Sequence, residues 1–115
     1  MDIRIIPGGI TAAKGFRAGG IHCGVRKNRS KRDLAMIVSD KRAAAAAVYT
    51  TNLVKGATLM VTRRNLADGW AQAVLCNSGN ANTCNADGEE VALQMCGLAG
   101  RALGIPAEDV VVAST

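Results

Sequence analysis

Residues 76–88 read Cys-Asn-Ser-Gly-Asn-Ala-Asn-Thr-Cys-Asn-Ala-Asp-Gly, which gathers four carboxamides, two thiols and two side-chain hydroxyls into one short stretch. A carboxamide both donates and accepts, so Asn77, Asn80, Asn82 and Asn85 could grip a polar substrate or bond the loop to itself. Asparagine is above all a turn and cap residue, and Gly79 can take a left-handed conformation. The more ordinary reading is therefore a self-bonded loop that shapes a neighbouring site. Its side chains would also satisfy the orphan N–H groups of the helix that follows.

The other reactive side chains are scattered. His22 is the only histidine, and neither an acid nor a serine stands at a spacing that suggests a catalytic triad. Cys23, Cys76, Cys84 and Cys96 make no Cys-x-x-Cys pair and fit no zinc spacing, so they read as small buried hydrophobes. Arg26, Lys27, Arg29, Lys31 and Arg32 carry much of the net charge of +5 and could meet phosphates. No aromatic residue interleaves with them, so a solvated turn is preferred to a nucleic-acid surface. The glycine-rich Gly8–Gly20 matches neither a dinucleotide fingerprint nor a P-loop. From these residues alone, no general base, nucleophile and acyl site can be assembled together.

What positions them is an alternation of strands and helices. Residues 71–77 read as a strand that feeds the asparagine loop, and residues 87–103 as an amphipathic helix. Asp87 and Glu90 resemble a capping box at its start, and Gly104 and Pro106 stop it. Gly97 and Gly100 inside the helix each cost about 1 kcal/mol relative to Ala, which predicts backbone packed tightly on a sheet. Residues 110–113 follow as a buried strand. The loop thus lies at the carboxyl end of one strand and the amino end of a helix, where α/β folds commonly carry function.

Upstream, residues 3–6, 20–25 and 33–40 read as strands, the last two as a hairpin around the basic turn. Residues 56–61 read as a short strand or turn, and 62–69 as a helical turn or two with Thr62 as N-cap and Gly69 as stop. The alanine run 43–47 is ambiguous on propensity. With three aromatic residues in 115 and 49% hydrophobic residues, the core must rest on close backbone approaches. These features predict an α/β class, a layered mixed sheet with packed helices. No apolar run is long enough for a membrane span, and Met1–Gly20 is not a signal peptide, which sets the expectation of reduced thiols in the cytoplasm.

Several blocks, read in order, resemble one family. GGITAAKGFRAGGIHCGVRK, KRDLAMIVSD, AAAVYTTNLVKGA, AVLCNSGNANTC and ALGIPAEDVVVAST are similar to the start of the ornithine acetyltransferases, the glutamate N-acetyltransferases of arginine biosynthesis. The Asn-Ser-Gly-Asn-Ala-Asn block and the closing Ala-Ser-Thr are the most specific parts. The resemblance tips the alanine run to strand.

It also implies a precursor that cuts itself before a threonine, giving an α and a β chain that stay together, as an α2β2 heterotetramer. The new N-terminal threonine would be the nucleophile, with its own amine as base. It would pass acetyl from N2-acetylornithine to glutamate, with no bound cofactor and with acetyl-CoA as a further donor in some members. In that family a Thr-Gly pair builds the oxyanion hole, and Thr115 matches its threonine. The following glycine, the nucleophile and the substrate-binding positions have no match here. The resemblance therefore implies the N-terminal part of an α chain, inactive alone, whose partners are the remaining α chain and the β chain. Neither nucleic acid nor membrane is implied. Ala57-Thr58 imitates the cleavage site, but its context matches an uncut segment. A stand-alone assembly module and a small basic nucleic-acid binder are the other two readings.

Overall fold

Burial alternates residue by residue along 73–77: Ala73, Leu75 and Asn77 are buried, while Val74 and Cys76 are half-buried. That period of two is what a strand with one well-covered face requires. A computed structural model describes residues 1–115. It places this strand, β3 (Trp70–Asn77), inside a four-stranded sheet of order β1-β2-β3-β4, with β1 Phe16–Ile21, β2 Leu34–Ala44 and β4 Val110–Ser114. β1 and β3 run antiparallel to β2, and β4 runs parallel to β3. Two helices, α1 (Ala57–Asn65) and α2 (Gly88–Leu103), pack on one face. The fold is α/β, a mixed sheet layered with helices.

The core is built from small residues, as the composition demands. Val61 of α1 and Ala92, Cys96 and Ala99 of α2 meet Ala73, Leu75, Val110 and Val112 of the sheet. The helices cover β3 and β4 only. Over β1 and β2 the same face is an apolar hollow of about 350 Å³, lined by Ile21, Leu34, Met36, Val38 and Leu75 among others. On the opposite face a second hollow of about 180 Å³ lies among Phe16, Ile37, Ala43 and Val74.

Several elements differ from the sequence-based expectation, each for a physical reason. Residues 3–6 form no strand; they are exposed and pair with nothing. The strand expected at 20–25 is shifted to Phe16–Ile21, because the N–H groups of Cys23, Gly24 and Arg26 turn instead to the Asp33 carboxylate. Residues 56–61 are helical rather than extended, since Thr58, Val61 and Thr62 share one buried face at helical spacing. Thr62 lies inside that helix and caps nothing, whereas Gly69 does close the following 3₁₀ turn at φ 78°. Of the alanine run, only Ala43 and Ala44 belong to a strand.

Helix α2 falls where expected, but its start is not a capping box. Asp87 makes no side-chain cap, Glu90 accepts from Gln94, and Glu89 pairs with Arg64. Gly100 does sit in a close approach: a Cβ there would lie 2.8 Å from Ile105 O, so the helix backbone packs on its own connector rather than on the sheet. Gly97 has no such neighbour. The cysteines also divide. Cys96 is buried, with its thiol pKa pushed up by burial, Cys76 is half-buried, and Cys23 and Cys84 are exposed because they fall in loops. No helix is long and apolar enough to cross a membrane.

Candidate active site

β3 and β4 run in the same direction, and the antiparallel pairing of Leu34 with Asn77 brings the start of β2 to the same end of the sheet. Three segments therefore converge: the asparagine loop, the β1–β2 connection and the terminus of β4. Their backbones are stitched together. Thr115 N–H donates to Asn77 O at 3.0 Å, Gly79 N–H donates to Thr115 O at 2.8 Å, and Ser78 N–H donates to Asp33 O at 2.9 Å.

The four carboxamides mostly bond groups within the loop itself. Asn77 Nδ2 donates to Asn80 O at 3.0 Å, and Asn80 Oδ1 accepts from Asn82 N–H at 2.9 Å. Asn85 Nδ2 donates to Asn82 Oδ1 at 3.0 Å. The self-bonded reading of the loop holds, but its amides do not cap the helix N–H groups. Only Asn82 reaches α2, and it does so as a donor to Gly88 O at 2.8 Å. Asn82 and Cys84 hold positive φ, 52° and 60°, a conformation asparagine tolerates better than most residues. Gly79 has φ 109°, and a Cβ there would lie 2.7 Å from Arg26 Cγ, so glycine is required on two counts.

At the strand end, Ser114 Oγ donates to Asn77 Oδ1 at 2.5 Å, while Thr115 is exposed. The asparagine loop thus touches the residue beside Thr115 through one of its own carboxamides. Such an arrangement fixes the backbone of Thr115 at the mouth of the sheet, with both of its backbone groups bonded to the loop.

Asp33 is the residue that sequence reasoning missed. It is 2% exposed and accepts from the N–H groups of Cys23 (2.7 Å), Gly24 (3.2 Å) and Arg26 (2.9 Å). The Arg26 and Cys23 N–H groups hold its carboxyl well below the usual carboxylate range. His22 is drawn into the same knot, with Nδ1 3.0 Å from Lys31 O and 3.2 Å from Asp33 Oδ2. The only signal for Asp33 was an acid immediately after a basic turn. The five basic residues of that turn are exposed, and none takes part in an ion pair. No three His, Cys, Asp or Glu side chains converge to hold a metal. Thr58 is buried in the first turn of α1, a helix rather than the strand expected of it.

The chain superposes with TM-score 0.85 on the crystal structure of the Mycobacterium tuberculosis ornithine acetyltransferase complexed with ornithine, at 34% identity over 92% of this chain and 58% of that one. The similarity to the arginine biosynthesis bifunctional protein ArgJ of Bacillus halodurans is higher, with TM-score 0.88 and 42% identity over 94% of this chain and 56% of that one. A sequence model of the ArgJ family matches residues 17–115, and the chain belongs to that family. The ArgJ protein of Gloeobacter violaceus is 50% identical over 99% of this chain. This chain spans 28% of that relative's length.

Proposed function

We propose that this chain is the N-terminal part of the α chain of a glutamate N-acetyltransferase of arginine biosynthesis. The complete enzyme would move acetyl from N2-acetylornithine to glutamate. Thr115 contributes its hydroxyl to the oxyanion hole, and the nucleophile is the N-terminal threonine of a β chain released by self-cleavage. The carrying observation is the position of Thr115: family membership joins a geometry in which both backbone groups of this residue are bonded to the asparagine loop.

The remaining α residues and the β chain are the partners in this reading, assembled as α2β2. Coverage of 28% of the Gloeobacter relative is what a partial chain would give. The apolar hollows on both faces of the sheet are the surfaces those residues would cover. The five unpaired basic residues lie at the Thr115 end, where they would draw in carboxylate substrates.

Thr115→Val in the complete self-cleaved enzyme tests the proposal. Turnover should fall by about 10²-fold, as for loss of one oxyanion donor, with KM for acetylornithine little changed. Undiminished kcat in the folded variant would reject the role of Thr115.

A further inference from the structure

The outer edge of β4 is not open. In a parallel pair, alternate residues of an edge strand turn their N–H and C=O away from the neighbour. Thr115 N–H donates inward to Asn77 O, so the outward row is Val110, Val112 and Ser114. Helix α1 meets this row with side chains. The Thr62 hydroxyl donates to Val112 O at 2.7 Å and accepts from Val112 N–H at 3.1 Å. One side chain thus gives Val112 the two bonds a fifth strand would give it.

One turn further along α1, Asn65 Nδ2 donates to Val110 O at 2.9 Å. The helix runs against the strand, so Thr62 and Asn65 meet residues in descending order. Three helical residues rise about 4.5 Å and two strand residues about 6.6 Å, and the longer Asn side chain spans the difference. Thr62 is 6% exposed, so water offers Val112 no replacement. β4 is therefore held at its start by Asn65, in its middle by Thr62 and at its end by the Asn77 loop.

We propose that Thr62, seconded by Asn65, is a positioning residue for Thr115: by bonding both backbone groups of Val112 it sets where the strand end presents the oxyanion-binding hydroxyl. This rests on the oxyanion role of Thr115 proposed above. Thr62 touches no substrate, and its effect passes through β4.

The test uses the complete self-cleaved enzyme. Thr62→Val keeps shape and volume and removes both bonds. A displaced oxyanion donor should cost less than a deleted one, about tenfold in kcat, with KM for acetylornithine unchanged. Thr62→Ser, which keeps the hydroxyl, should restore kcat. Thr62→Val combined with Thr115→Val should turn over no more slowly than Thr115→Val alone. A lower melting temperature with unchanged kcat per assembled molecule, or independent losses in the double variant, would overturn the proposal. If Thr115→Val itself leaves kcat intact, the oxyanion reading has failed; if it lowers kcat and Thr62→Val does not, only the positioning role has failed. Should Thr62→Val not assemble, Asn65→Leu at its half-buried site decides by the same split of kcat and KM.

Discussion

Asp33 shows how one buried carboxylate can organise a loop without doing chemistry. Its oxygens accept from three backbone N–H groups of residues 23–26, and its own carbonyl accepts from Ser78 N–H at the start of the asparagine loop. Residues 25 and 26 in turn lie against Gly79. Because the folded pKa is lowered, the carboxylate contributes stability that is complete above its unfolded value, about 4. That contribution is lost as pH falls from there toward the depressed folded value. Asp33→Asn in the complete enzyme should lower the melting temperature at neutral pH and flatten the acid limb of the stability profile. An unchanged acid limb would mean that other carboxylates set it. Nothing local announced this residue. Its partners lie 7 to 10 positions back, in a stretch whose β-branched edges suggested a strand. The asparagines, by contrast, were legible because most of their bonding is local: Asn80, Asn82 and Asn85 find partners within six residues, and only Asn77 also reaches a distant one, Ser114.

At the scale of elements, periodicity read α2 and β3 well, because each has one face buried in the core. It misread α1. A helix of nine residues with Thr58, Val61 and Thr62 on its buried side has little apolar contrast, and the burial of Thr62 is explained only by β4, some fifty positions later. The two interior glycines of α2, Gly97 and Gly100, separate helix propensity from packing. At Gly100 an added Cβ would meet Ile105 O at 2.8 Å and Ala107 N at 3.2 Å, both backbone atoms that cannot swing aside. Gly100→Ala should destabilise by about 1–3 kcal/mol, the range for overpacking. At Gly97 the nearest atom is the far end of Arg101, 3.9 Å away, so Gly97→Ala should stabilise by up to about 1 kcal/mol through helix propensity. Urea unfolding of both variants reads the two signs. Equal effects would show that the close approach at Gly100 is relaxed in solution.

Across the whole molecule, only 16 of 115 residues are buried, and the core holds eight hydrophobic side chains. The radius of gyration, 14.9 Å, exceeds the value of about 13.4 Å expected for a self-contained domain of this length. The apolar area that such a domain would hide is visible instead: the hollow over β1 and β2, the hollow around Phe16 and Ile37, and Leu98 at 60% exposure. On the reading proposed above, the remaining α residues and the β chain would cover such surfaces. The middle of the β4 edge needs no such cover, because Thr62 of α1 already satisfies both backbone groups of Val112. The 115-residue chain produced alone should therefore bind a hydrophobic dye such as ANS and aggregate, whereas the complete enzyme of the proposed reading should bind little dye and stay in one defined assembly. Equal dye binding by the two would mean that these faces stay exposed in the assembled enzyme and serve another partner.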